Sequence, residues 1–178
     1  MRPFGTGIML TLMITRRLAP ALAAVLLLAA PAAAQSSDPV TDTMVATIDL
    51  CLRVVRGQAN WSSGLDALGY TTVSTGGRVK PIGGSLVASG MGSNTVGGVS
   101  ARLCEITATP ALTDKRALRA AMAARSAGLP DMGDGPVEGG VMGGYANLDG
   151  VGLAALAVTD RPAAGGRQSS TSVSVIWK

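Results

Sequence analysis

Two cysteines, three carboxylates in one glycine-rich segment and a complete lack of histidine define the chemistry open to this chain. None of its 178 residues is His, which excludes Ser-His-Asp and Cys-His catalysis, imidazole acid–base work and histidine metal ligation. None of Lys80, Lys115 and Lys178 has a serine or threonine three places before it, so a Ser-x-x-Lys dyad has no support. There is no Gly-x-Ser-x-Gly elbow. Gly90-Met91-Gly92-Ser93-Asn94-Thr95 opens like a dinucleotide fingerprint but has Thr95 where the third glycine belongs, and no helix is expected after it. Gly133-Asp134-Gly135-Pro136 fails for the same reason. The residues therefore call for no cofactor and no metal.

Cys51 and Cys104 are the only cysteines. Reactive thiol pairs usually sit as Cys-x-x-Cys or beside a histidine, and neither arrangement exists here. In an oxidising compartment the pair is expected to form one structural disulfide. Closing a loop of about 54 residues would contribute about 4 kcal/mol in the chain-entropy treatment.

Asp131, Asp134 and Glu138 are the remaining route to catalysis, because paired carboxylates can act as acid and base on a glycosidic bond. A sugar cleft normally carries stacking aromatics, whereas only Trp61, Tyr70, Tyr145 and Trp177 follow residue 34. A solvated acidic loop is the plainer reading, and the segment does not follow the EF-hand ligand pattern. Lys115, Arg116, Arg119 and Arg125 place cations on an expected helix, where the first three could meet an acidic partner or anionic headgroups. Trp61 and Tyr70 bracket a short helical segment and would mark a recognition patch if exposed. The alternatives are a solvated helix face for the cations and core packing for the aromatics.

These residues lie in a chain with a distinctive N-terminus. Met13–Gln35 reads as two arginines, an Ala/Leu run and small residues ending Ala32-Ala33-Ala34. That is the layout of a secretory signal, with cleavage expected after Ala34. The apolar run Leu18–Ala30 is too short for a membrane span, which needs roughly 20 residues. Met13 is the expected start of translation, and residues 1–12 fit no part of the signal. Loss of Arg2, Arg16 and Arg17 takes the net charge from +4 to +1, twelve Lys/Arg against eleven Asp/Glu. A nearly neutral exported domain gives no basic footprint for nucleic acid. The composition, rich in Ala, Gly and Arg, points to a high-GC bacterial genome.

Residues 35–178 suit one domain. Val40, Met44, Ile48, Cys51 and Val55 fall on one face of a helix expected over 39–56, capped by Asp38 with Pro39 at its first position. A short helix is expected over 62–68. Glycine pairs at 76–77, 83–84 and 97–98, with Gly90 and Gly92 between them, mark a strand and turn leading into a second strand over 96–108. Thr113 should open another helix, ended by Gly128 and Pro130. Asp131–Gly144 reads as a loop, and Asp149-Gly150 as a hairpin turn. In the last strand Val173, Val175 and Trp177 share a face.

The expected fold is α+β, a two-layer domain whose antiparallel sheet of about five strands carries two main helices on one face. A Cys51–Cys104 bridge would staple helix to sheet. An all-β barrel is the alternative. The function expected is a non-enzymatic periplasmic or secreted domain that binds another envelope protein or component, with no nucleic acid and no membrane anchor in the mature form. A small carboxylate-dependent hydrolase and a structural protein of the envelope are the alternatives.

Overall fold

The computed structural model describes residues 38–96, 99–147 and 152–178. The signal-like segment and the Asp149-Gly150 turn lie outside them. Helix α1 (Pro39–Val55) begins where its cap dictates. The Asp38 carboxylate accepts the backbone N–H groups of Val40 (3.1 Å) and Thr41 (3.2 Å) and the Thr41 hydroxyl (2.6 Å). Burial pushes the Asp38 carboxyl up, but these three donors outweigh it and hold its pKa below the usual value. The stripe Val40, Met44, Ile48 and Cys51 is buried, together with Thr47.

Helix α2 (Trp61–Ala67) is capped by Asn60, whose amide oxygen accepts from Ser63 N–H. It packs closely on α1 because Gly64 has no side chain: a Cβ there would strike the Leu50 side chain. Helix α3 (Arg116–Arg125) starts three residues later than Thr113. Ala111 and Leu112 donate their N–H groups to Ser169 Oγ and Thr171 Oγ1, which ties the approach segment to the last strand and delays the helix.

The strands are β1 (Thr71–Thr72), β2 (Arg78–Ile82), β3 (Ser85–Val96), β4 (Val99–Thr109), β5 (Asp131–Val137), β6 (Gly140–Ala146), β7 (Leu153–Arg161) and β8 (Ser170–Trp177). They form one antiparallel sheet in the order β1-β2-β3-β4-β8-β7-β6-β5. Two meanders thus meet at the β4–β8 seam, with α3 in the crossover. The α+β class and single antiparallel sheet agree with expectation, but the sheet has eight strands rather than about five. The difference lies in glycine-rich segments. Asp131–Gly144 is no loop: it supplies β5 and most of β6. At Gly144 (φ +138) a Cβ would strike the Leu156 carbonyl of β7, so glycine is what lets β6 close on its neighbour. At the sheet edge, β5 carries Pro136 and a register shift between Asp131 and Asp134, both features of an edge that resists further pairing.

The helices cover one face of the sheet. Met44, Ile48 and Cys51 of α1 and Leu118 and Met122 of α3 share a core with Cys104, Ile106, Leu156, Val158, Val173 and Val175. The Cys51–Cys104 disulfide joins α1 to β4 across this core, Cα to Cα 6.3 Å, with both residues fully buried. Among the described residues no helix is long and apolar enough to cross a membrane.

Candidate functional site

On the helix-free face of the sheet, alternation puts Ala88, Gly90 and Gly92 of β3 beside Leu103, Glu105 and Thr107 of β4. These six line a groove of about 490 Å³, bordered by the β1–β2 turn around Val73, Thr75 and Gly77. The turn is fixed by hydrogen bonds from Val73 N–H to the Gly77 carbonyl (2.9 Å) and from Gly76 N–H to the Val73 carbonyl (2.8 Å). Arg78 anchors the start of β2. Its guanidinium reaches Asp66, the Ser62 carbonyl and the Thr72 hydroxyl, while its Nε is buried without a hydrogen-bond partner among the described residues.

Gly90 and Gly92 are interior strand residues outside the left-handed region, and a Cβ on either would meet nothing within 4 Å. Neither backbone conformation nor crowding therefore requires glycine. Glycine in a strand costs about 0.5–1 kcal/mol relative to alanine, so the clearance it leaves in the groove floor is its structural effect. Glu105 stands between Gly90 and Ser174 in the ladders. Its carboxylate is exposed and, among the described residues, has no ion-pair partner.

The residues nominated from sequence lie elsewhere. Asp134 is held by both terminal nitrogens of Arg119, at 2.9 and 3.1 Å. Asp131 accepts from Gly133 N–H within β5, where the register shifts. Glu138 sits in the β5–β6 turn and faces a different cavity, of about 810 Å³, with Arg161 and Arg167. Asp134 does not line that cavity. No group of three or more potential metal ligands occurs among the described residues.

The cations of α3 are likewise occupied. Lys115 pairs with Asp160 (3.3 Å), Arg116 with Asp114 (2.7 Å) and Arg119 with Asp134. The Arg116 side chain, then its backbone N–H, pull the Asp114 carboxyl down to about 2. Tyr70 is buried rather than part of a surface patch. Thr47 gives its hydroxyl proton to the Thr43 carbonyl, so Tyr70 donates to Thr47 at 2.8 Å. Trp61 is half-buried against the same core.

Sequence reasoning singled out neither Glu105 nor the groove. Gly90 and Gly92 were visible but resembled turn signals, and only the ladder shows that they lie within one strand. Comparison with protein-family models, curated proteins and solved structures finds no match.

Proposed function

We propose that this chain is an exported binding domain of the bacterial envelope, and that the groove over β3 and β4 is its ligand site. The observation that carries this reading is the pair Gly90 and Gly92, kept in a strand where neither φ nor packing calls for glycine. A groove of this size falls in the usual range for small-ligand sites, roughly 300–1,000 Å³. Its floor and walls are largely apolar, and its one unpartnered charge is the Glu105 carboxylate. That lining suits an apolar ligand bearing an ammonium or guanidinium group, with Glu105 as the anchor.

Export is supported by the Met13–Gln35 signal pattern and by a buried bridge of the kind that persists in oxidising compartments. A binding role rather than catalysis is supported by the lack of histidine and by the engagement of Asp134 with Arg119.

Amide chemical shifts followed during titration with n-hexanol, then n-hexylamine, test the site. The perturbations should gather on residues 73–77, 88–92 and 103–107, with the amine about three- to fivefold tighter in wild type and the preference lost in Glu105→Gln. Perturbations centred on the exposed Met132 and Met142 instead would overturn the assignment.

A further inference from the structure

A second cavity, of about 630 Å³, opens on the helical side between α1, the end of α2 and the end of α3. Its charged lining is Arg53 of α1, the C-cap residue Arg56, Arg125 of α3 and one carboxylate, Asp49. Arg125 is fixed in place: Nε and one terminal nitrogen reach the two Asp49 oxygens at 2.6 and 2.8 Å, and the other terminal nitrogen reaches the Ala121 carbonyl at 3.0 Å. This pair neutralises itself. Arg53 and Arg56 are left as two exposed guanidinium groups whose side chains have no ion-pair or hydrogen-bond partner among the described residues.

Their setting differs from that of the α3 cations. The cations of α3 all find carboxylates within the chain, whereas these two do not. They also stand three residues apart on one helix, a spacing at which like charges repel. One cation in the last turn is explained by the partial negative charge at the C-terminus of α1. With Arg56 at the C-cap and Arg125 already matched by Asp49, the lining keeps a net charge of +2.

We propose that this cavity is a separate anion site, in which Arg53 and Arg56 hold the phosphate group of a phosphate-bearing ligand. Guanidinium forks match phosphate oxygens two at a time, and the surplus of two positive charges matches a phosphomonoester dianion. Leu52, Leu68 and Ala124 give the cavity an apolar side next to these charges. The same chemistry is offered by a free phosphomonoester and by a lipid headgroup.

The test is titration of the intact protein with inorganic phosphate at low ionic strength, followed by amide chemical shifts. Saturable perturbation of residues 52–57 and 124–127 is expected. The double variant Arg53→Gln/Arg56→Gln should weaken binding about tenfold or more, while Lys115→Gln, which alters a cation already paired with Asp160, should leave it unchanged. The amide spectrum of the double variant reports whether it is folded. Cosedimentation with phosphatidylcholine vesicles only when they contain phosphatidic acid would assign the phosphate to a lipid headgroup. Phosphate binding without cosedimentation would assign it to a soluble ligand. Phosphate affinity unchanged in a folded double variant, or no saturable response in wild type, overturns the proposal.

Discussion

Glu105 and Gly90 are direct cross-strand partners on β4 and β3, so the one unpaired carboxylate of the groove has a residue without a side chain opposite it. Glu105's partner on the other side, Ser174, is also small. A charged side chain flanked in this way has room for a guest, and the proposed ligand site rests on that relationship.

If clearance is the reason for glycine in the groove floor, alanine should be tolerated there. Gly90→Ala should stabilise the protein by about 0.5–1 kcal/mol, since its Cβ meets open space. Gly144→Ala should destabilise it by at least about 2 kcal/mol, because its Cβ strikes the backbone of β7 at a positive φ. Urea midpoints measured side by side check the contrast; equal effects at the two positions would refute it.

Cys51→Ser or Cys104→Ser should lower stability by roughly 2–5 kcal/mol, since the bridge closes a long loop across the core. Denaturation of the non-reduced protein reads the loss. Melting unchanged from wild type would mean that the bridge does not contribute.

Removing the α1 cap with Asp38→Ala should cost about 1 kcal/mol at neutral pH. The folded-state pKa of Asp38 is lowered, so its contribution is present above the ordinary carboxyl value of 3.8 and is lost as pH falls through the folded value. Wild type and variant should therefore differ at pH 7 and converge in acid. A gap that widens below pH 4 would contradict the cap.

Asp134→Asn should change stability by less than about 1 kcal/mol, because its bond to Arg119 is largely exposed. Thermal melts would detect a larger loss, which would show that this pair fastens α3 to the β5–β6 hairpin more strongly than its exposure implies.

The elements legible in the sequence were those built on side-chain periodicity. The α1 stripe, the Asp38 cap, the buried face of β8 and the helix-to-strand bridge all rest on residues whose spacing matches their element. The number of strands in the glycine-rich segments was not legible, because strand identity there comes from ladder hydrogen bonds rather than from alternating side chains. The Asp131–Gly144 segment lacked the apolar alternation that signals a strand. The burial of Tyr70 and the engagement of the cations at α3 depend on contacts between residues far apart in the chain, such as Tyr70 with Thr47 and Lys115 with Asp160. The groove was hidden for the same reason, since it exists only once β3 and β4 lie side by side.

The most direct measurement is the native intact mass of the protein purified without reductant from cells of its host, compared with a Gly90→Leu/Gly92→Leu variant that fills the groove floor. A ligand mass is expected on the wild type and absent from the folded variant. No difference in bound mass between the wild type and the folded variant would contradict the groove as the ligand site.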